Sequence, residues 1–262
     1  MKQRLSALVV AHNEEEQLAD CLATLTFADE IVVILDRCTD RSRDIAEKFN
    51  TRILEGAWEI EGLRRNQGIE TTTGDWILEV DADERVTPAL AAEIRHRISM
   101  APFGYFLIPY DNYVGRRLIR YGWGAQWGVS ATVRLFARGA KHWGEERVHP
   151  KVTLKGERQW LHERMVHYVD RNLSDMIYRF DRYTTARAQD LRSLKARGQD
   201  IGTFRGNLRR VFSRFLKCYF SRKGYREGAW GFTIALFAGL YPLISYLKAT
   251  LEPDEGNPEP KA

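Results

Sequence analysis

The sequence predicts an α/β protein with a doubly wound, mostly parallel sheet covered by helices on both faces, followed by a basic C-terminal helical region. Over the first hundred residues, apolar runs of strand length alternate three or four times with segments of helical spacing. This alternation is typical of parallel strands joined by right-handed crossovers. Residues 1–100 contain 12 Lys and Arg against 20 Asp and Glu, whereas residues 171–227 contain 15 against 5. This change of sign predicts two surfaces with different partners.

Short runs rich in Val, Ile and Leu are typical of strands buried on both faces, and apolar spacings of three and four are typical of helices that cover them. Asn13 is expected to cap the first helix, and Pro88 should open the fourth, where its missing N–H costs least. The expected strands are residues 5–11, 30–35, 52–54 and 76–80, and the expected helices are residues 14–25, 40–49, 63–71 and 88–98.

From residue 103 to residue 170 the pattern changes to short strands and turns, and after residue 170 it becomes helical and basic. We therefore expect a catalytic domain over 1–170, a helical region over 171–250 and a disordered tail over 251–262, which is rich in Pro, Glu and Asp. Further strands are expected at 104–109, 132–136 and 152–154. The three cysteines are widely spaced without a Cys-x-x-Cys pair, a pattern that suits a reducing compartment.

Two carboxylates follow the strand expected at 76–80. Asp81 and Asp83 are separated by one residue, so in extended chain they point the same way. Ligands of α/β proteins collect at the carboxyl ends of strands, and hard divalent cations bind there through one or two carboxylates plus substrate phosphates. The pair predicts a metal and diphosphate site, with a solvated acidic turn as the alternative. No glycine-rich fingerprint follows the first strand, which disfavours dinucleotide oxidoreductases and P-loop NTPases.

Several short segments follow one another in a set order and spacing. They are residues 9–15, 35–36, 39–40, 65–66 and 81–84, continued by 148–149, 161–162 and 167–168. This series resembles the motifs of the family 2 glycosyltransferases over about 170 residues, and its continuation with the basic tail is similar to the subgroup of lipopolysaccharide-core β-glucosyltransferases. The resemblance implies a GT-A fold, a nucleotide-sugar donor and a divalent metal, Mg²⁺ or Mn²⁺.

The resemblance also implies roles for individual residues. Asp83 is the expected metal ligand, with Asp81 sharing the metal or the ribose and His167 as a further candidate ligand. Asp36 would accept hydrogen bonds from the nucleoside, as carboxylates at strand ends do, or it would cap a helix. Arg65 would contact the diphosphate, with a plain surface helix as the alternative. The complete set of expected donor-binding residues is Ala11, Asn13, Glu14, Asp36, Arg65 and Asp81.

Transfer with inversion needs a general base on the face opposite the leaving group, and a carboxylate is the natural choice. Glu145 and Glu146 are the candidates, against a plain surface loop. The subgroup commonly has His-Glu where this chain has His149 followed by Pro150, so one carboxylate candidate is missing here. Acceptor contacts are expected from His149 and from Trp123 and Trp127, whose rings would stack on sugars or pack in a core.

Residues 204–226 place apolar and basic side chains at helical spacing, as expected for a helix on an anionic membrane surface. Residues 228–247 then contain no charge, which is just long enough to span a bilayer. In-plane contact, a single span and an ordinary buried helix remain open. We expect a location at the cytoplasmic face of the inner membrane, either peripheral or with one C-terminal insertion.

The expected function is an inverting, metal-dependent glycosyltransferase that acts on a lipid-linked acceptor, in lipopolysaccharide core or related envelope glycan synthesis. Transfer to a polyprenyl phosphate or to an exopolysaccharide intermediate is the alternative within enzymes. Outside enzymes, the basic segment would suit a membrane- or nucleic-acid-binding protein without catalysis. That interpretation leaves the acidic first half unexplained, so no nucleic-acid partner is expected. The oligomeric state is left open.

Overall fold

The computed structural model describes residues 3–123, 130–145 and 151–252. The chain forms two compact units, one of residues Met1–Asp111 with Ser130–Tyr168 and one of residues Asn112–Val129 with Val169–Ala262. We call them the first and second units. The domain boundaries expected from the sequence, after residues 170 and 250, remain a prediction.

The first half of the first unit is the predicted alternation of parallel strands and helices. The parallel strands lie in the order β3-β2-β1-β4, and the seven residues of β1 are all buried. Burial on both faces explains the continuous apolar runs in these strands. The elements are β1 Leu5–Ala11, α1 Leu18–Ala23, β2 Glu30–Asp36, α2 Ser42–Lys48, β3 Arg52–Gly56, α3 Glu61–Thr71 and β4 Trp76–Asp81.

The remaining strands make the sheet mixed rather than mostly parallel. β8 is antiparallel to both β4 and β6. Among the described residues ten strands form one sheet: eight follow the path β3-β2-β1-β4-β8-β6-β12-β5, and β7 and β11 each pair with β6 beside it. Along β6 buried and half-buried residues alternate, as antiparallel strands with one covered face do. The elements are β5 Glu84–Arg85, α4 Pro88–Met100, β6 Gly104–Val114, β7 Arg117–Ile119, β8 Ala131–Ala137, β9 Lys141–Trp143, β10 Val152–Leu154, β11 Glu157–Trp160 and β12 Met165–Asp170.

The first helix begins four residues later than predicted because Asn13 does not cap it. Asn13 has a left-handed backbone with φ of 56°, and its side-chain oxygen accepts a hydrogen bond from the Thr39 N–H at 2.8 Å. The next two N–H groups, of Glu14 and Glu15, donate to Ser42 and Asp40. The chain after β1 is therefore tied to the loop after β2, and α1 starts only beyond that tie.

The second unit is mainly helical. Helices α5 and α6 both pack on α7, which is long and apolar enough to cross a membrane, although 39% of its most apolar stretch is buried. A π-helical turn at Lys217–Ser221 and a 3₁₀ turn at Gly224–Glu227 join α6 to α7. The helices are α5 Leu173–Ala196, α6 Phe204–Leu216 and α7 Ala229–Leu251.

Helix α3 approaches the chain after β9 through a glycine. A Cβ atom on Gly62 would lie 1.8 Å from the Gly144 carbonyl oxygen, which belongs to the backbone and has no rotamer to change. We expect Gly62→Ala to lower the free energy of unfolding by roughly 1–3 kcal/mol, although alanine is the better helix former. Urea unfolding measures it, with Glu70→Ala at an exposed site of the same helix as control. Equal or greater stability of Gly62→Ala would contradict this close approach.

Candidate active site

The carboxyl ends of β1 and β4 meet at a cleft of about 180 Å³. Its position follows from the topology, since parallel neighbours bring their chain-following residues to one edge of the sheet. Two arginines of α3 and the aspartate that ends β4 are among the lining residues, so the cleft carries several charged side chains. The lining residues are Val10, Ala11, His12, Glu14, Arg64, Arg65, Asp81, Ala82 and Asp83.

The Asp81 carboxylate lies between two arginines. Its Oδ1 atom accepts a hydrogen bond from Arg65 Nη2 at 3.1 Å, and its Oδ2 atom accepts one from Arg134. Partial burial would raise the pKa of Asp81, but the charges and hydrogen bonds of Arg134 and Arg65 outweigh burial and hold that pKa well below its ordinary value. Asp81 is therefore an anion that fixes the direction of both guanidinium groups.

Arg134 continues the network into the protein interior. Its Nη2 atom also contacts Glu84 Oε1 at 2.6 Å, and its Nε donates to the Tyr110 hydroxyl at 2.7 Å. Burial raises the pKa of Glu84 against the opposing charge of Arg134, and the nearby charge of Asp81 raises it further. A second oxygen of Glu84 accepts from the Asp81 N–H at 2.9 Å. The turn after β4 is thus held from beneath by a buried carboxyl group.

Asp83 differs from Asp81 in its partners. Its Oδ2 atom lies 3.4 Å from Nε2 of His167 on β12, whereas its Oδ1 atom is buried without a hydrogen-bond partner among the described residues. Burial lowers the pKa of His167, but the hydrogen bond and charge of Asp83 and the charge of Glu84 outweigh it, so the net direction is upward. A buried carboxylate oxygen without a partner is rare in native proteins and marks a place for an ion or ligand.

Asp36 ends β2 and is almost completely buried. Its carboxylate accepts hydrogen bonds from Arg37 at 2.9 Å, from Arg64 at 2.7 Å and from the Trp58 N–H at 3.2 Å. Burial would raise the pKa of Asp36, but these hydrogen bonds and the positive charges lower it overall. His12 contacts the backbone of the same residue, since its Nδ1 atom lies 2.6 Å from the Asp36 carbonyl oxygen.

A second buried ion pair supports Arg65 from the other side. Lys141 on β9 contacts Glu79 on β4, and the Trp143 indole N–H donates to the same carboxylate at 2.9 Å. The Arg65 guanidinium lies 4.9 Å from the centre of the Trp143 ring. Burial lowers the pKa of Lys141 to about 8 despite the neighbouring Glu79, whose own pKa is lowered by Lys141 against the effect of burial.

Asn66 joins α3 to β9 through a two-way contact. Its side-chain oxygen accepts from the Trp143 N–H at 2.9 Å, and its amide nitrogen donates to the Trp143 carbonyl at 2.8 Å. Such a pair satisfies both backbone polar groups of one residue, which would otherwise be costly to bury. Since Glu145 follows Trp143 by two residues, Asn66 positions the chain that leads to the first candidate base.

The chain is similar to known glycosyltransferases, both in part and over nearly its full length. The family model described as glycosyl transferase family 2 matches residues 6–134, from β1 to Arg134. Over nearly its full length the chain is similar to an uncharacterized glycosyltransferase of Rickettsia conorii, with 21% identity over 95% of this chain and 90% of the relative. Residues 6–134 belong to glycosyl transferase family 2. The interpretation as a binding protein without catalysis is therefore set aside.

Other relatives of this glycosyltransferase differ in how much they cover. The lipopolysaccharide core biosynthesis glycosyltransferase LpsC of Rhizobium meliloti is 23% identical over 94% of this chain and 92% of its own length. A TPR repeat-containing protein of Synechococcus elongatus is 33% identical over 97 residues, which make up 24% of that protein. The crystal structure of TarS 1–349 from S. aureus aligns with a TM-score of 0.50 at 14% identity, over 97% of this chain and 76% of that one. The predicted GT-A fold is confirmed.

The structure brings together most of the expected donor residues of the glycosyltransferase, but not all of them. Asn13 is engaged with Thr39 and lies outside the cleft lining. Asp36 lies outside it too, but contacts the lining residues Arg64 and His12. Glu145 is exposed and also lies outside that lining. Their assigned roles remain predictions. Four of the expected donor residues line the cleft directly, namely Ala11, Glu14, Arg65 and Asp81.

Of the residues expected to contact the acceptor, Trp123 is described by the structure, and it does not line the cleft. Trp123 is only 8% exposed, packs in the core of the second unit and donates its indole N–H to the Ile119 carbonyl at 2.6 Å. Core packing, the alternative that the sequence left open for Trp123, is therefore the observed arrangement, because a ring buried in this way cannot stack on a sugar. Trp127, His149 and the second candidate base, Glu146, lie outside the described residues.

Sequence reasoning missed the residues that hold the network together. Arg134 and Glu79 are charged residues flanked on both sides by apolar residues within their strands, a position where charged side chains are almost always paired. That pattern could have indicated buried ion pairs, but it could not have named their partners. Arg64 was passed over because its neighbour Arg65 carries the resemblance to the family motif.

The buried pair of Lys141 and Glu79 predicts a large effect on stability. We expect Lys141→Met to lower the free energy of unfolding by about 3–5 kcal/mol, since it leaves a buried carboxylate without its cation. Adding Glu79→Gln should recover much of the loss because the unpaired charge is then removed. Urea unfolding compares both variants with Arg43→Met, which breaks the exposed ion pairs with Glu47 and Glu55 and should change stability far less. Similar losses for Lys141→Met and Arg43→Met would refute the role given to the buried pair.

Proposed function

We propose that this protein is an inverting, metal-dependent glycosyltransferase that moves a sugar from a nucleotide-sugar donor to a lipid-linked acceptor. One observation carries the proposal. Three side chains that line the cleft have a buried polar atom without a partner among the described residues: Arg64 Nε, Arg65 Nη1 and Asp83 Oδ1. The two arginine N–H groups can donate to the oxygens of a diphosphate, and the aspartate oxygen can bind the divalent cation that accompanies it.

The donor diphosphate would be held by Arg64 and Arg65. Arg65 is oriented from one side by Asp81 and from the other by Glu61, at 2.8 Å, which leaves Nη1 for the phosphate oxygens. Arg64 is bound to Asp36, so the same contact would link the diphosphate to the nucleoside end of the donor. Because these guanidinium groups are held before the donor arrives, little reorganisation is needed when charge develops on the leaving group.

The residues present fit a divalent cation at Asp83 better than at Asp81. Asp83 has a carboxylate oxygen without a partner, whereas both oxygens of Asp81 are bound to arginines. The described residues contain no cluster of three or more His, Cys, Asp or Glu able to hold a metal ion, so donor phosphates would supply the other ligands. Asp83 would hold Mg²⁺ or Mn²⁺, with His167 beside it, and Asp81 would orient the arginines. Bound there, the cation would neutralise charge on the departing diphosphate.

Inversion requires a base that takes the acceptor proton as the acceptor oxygen attacks the anomeric carbon. Glu145 is the described candidate, and the Asn66 contact with Trp143 holds the backbone immediately before it. Glu146 and His149 remain predictions as the alternative base and as an acceptor contact.

A lipid-linked acceptor is supported by two observations. LpsC, a relative over most of the chain, is named for lipopolysaccharide core biosynthesis. The second unit has a cationic segment and an apolar helix, which suit an anionic membrane surface at the cytoplasmic face of the inner membrane. A polyprenyl phosphate or an exopolysaccharide intermediate remains the alternative acceptor.

Replacing the proposed metal ligand should abolish most turnover without unfolding the protein. We expect Asp83→Asn to lower metal-dependent hydrolysis of the cognate nucleotide sugar by at least about a hundredfold, since the amide is nearly isosteric but carries no charge. The donor is first identified by screening nucleotide diphosphates for thermal stabilisation with and without manganese. Asp20→Asn, at an exposed site in α1, is the matched control. Wild-type turnover of Asp83→Asn at saturating donor would remove Asp83 from the metal site.

Arg64 should matter for donor affinity more than for stability. We expect Arg64→Lys to bind the stabilising nucleoside diphosphate roughly 10–100 times more weakly, because one charge-assisted hydrogen bond contributes about 1.5–3 kcal/mol. Calorimetric titration measures the affinity, and Arg43→Lys at an exposed ion pair serves as control. An unchanged dissociation constant for Arg64→Lys would exclude a contact between Arg64 and the diphosphate.

A further inference from the structure

We infer that one row of side chains along α6 and the turn after it docks the protein in-plane on an anionic lipid bilayer. We call this set the outer row. The inference deepens the proposed function by naming the surface that would bring the enzyme to a lipid-linked acceptor. It rests on the proposed function only in that this function gives membrane docking a purpose. The outer row consists of Phe204, Leu208, Phe212, Leu216 and Phe220.

The structure divides the apolar residues of this segment into two sets. The first set packs on α7: Phe215 and Tyr219 lie against the core of the second unit, which includes Ile234 and Ala235. The outer row repeats every four residues and points away from that core, so it forms one ridge on the helix surface. Its members are exposed by 49%, 39%, 64%, 51% and 56% in chain order. Five large apolar side chains in one exposed ridge indicate an interaction surface.

Two further exposed aromatic residues extend the outer row at its C-terminal end. Tyr225 and Phe232 contact the Tyr219 ring, with ring centres 6.4 Å and 6.1 Å apart, and Phe220 contacts the same ring at 5.1 Å. Tyr225 is 50% exposed and Phe232 is 47% exposed. Aromatic side chains of this kind favour the boundary between lipid headgroups and acyl chains.

The positive charge of residues 204–226 favours an anionic bilayer over a second copy of the chain as the partner of the outer row. Residues 204–226 contain eight Lys and Arg and no Asp or Glu. A second copy of the chain docked through the same surface would place two sets of cations against each other. An anionic bilayer instead offers acyl chains to the outer row and phosphates to the flanking cations.

Helix α7 is better accounted for as the interior of the second unit than as a membrane span. Lys248 near its end donates to Asp181 at 2.6 Å and to Thr185 at 2.7 Å, both on α5. On its other side, a Cβ atom at Gly239 would lie 2.7 Å from the Val211 carbonyl of α6. A spanning α7 would lose both contacts, whereas docking through the outer row requires no change in the unit.

Vesicle sedimentation tests the inference. Full-length protein should bind vesicles of phosphatidylethanolamine with phosphatidylglycerol at least about tenfold more tightly than vesicles of phosphatidylcholine alone. The double variant Phe212→Asp, Leu216→Asp should lose at least about tenfold in binding to the anionic vesicles, because both charges would enter the apolar layer. Phe212→Leu should retain binding. Met100→Asp is the matched control, since Met100 is an exposed apolar residue at the end of α4.

Each other outcome would overturn the inference. Wild-type vesicle binding by the double variant would exclude the outer row, and resistance of bound wild-type protein to alkaline carbonate would favour a spanning α7. Self-association without lipid that the double variant abolishes would assign the outer row to a second copy, and binding to RNA but not to vesicles would assign it to nucleic acid. Hydrolysis of the nucleotide sugar without vesicles is measured in parallel. Its retention in the double variant separates failed docking from a failure of the proposed catalysis.

Discussion

The cleft depends on the sharing of one carboxylate by two arginines that come from different parts of the fold. Arg65 reaches Asp81 from α3, and Arg134 reaches it from β8. Asp81 joins these two guanidinium groups, which are paired on their other sides with Glu61 and Glu84, and its carboxylate would be costly to place beside Glu84 without them. Because Asp81 and the two arginines are paired before any ligand binds, the unpartnered atoms of Arg64, Arg65 and Asp83 are left to meet a ligand.

The same logic extends to the chain beyond β9. Glu79 and Asp81 alternate on β4, and Glu79 binds Lys141 and the Trp143 indole while Arg65 lies over the Trp143 ring. The strand that presents Asp81 to the cleft therefore also fixes the chain that leads to Glu145. A buried ion pair is weak evidence of net stability, but it is an effective way to specify one arrangement, since the alternatives leave a charge unpaired. That specificity is what a site assembled from separate chain segments needs.

Much of the first unit could be predicted because continuous apolar runs are typical of parallel strands buried on both faces. The order and spacing of the motifs around Asp36, Arg65 and Asp81 also placed these residues near one sheet edge. The antiparallel half was harder, since a short alternating strand carries no information about its neighbour or direction. Arg134 could not be joined to Asp81 without the pairing of β8 with β4. The prediction that Asn13 caps a helix was wrong because asparagine is equally suited to helix caps and to left-handed backbone positions whose side chain binds a neighbouring loop.

The sequence by itself determined the alternation of strands and helices, the family, and the segregation of charge between the two ends of the chain. These are local properties, since hydrophobic period and charge are written in consecutive residues. Only the tertiary structure decided which groups were already satisfied: Asp81 by arginines, Trp123 by a core, and Phe215 of α6 by the same core. Whether a side chain is free to bind depends on its neighbours in space. Those neighbours come from distant segments whose pairing no local pattern encodes.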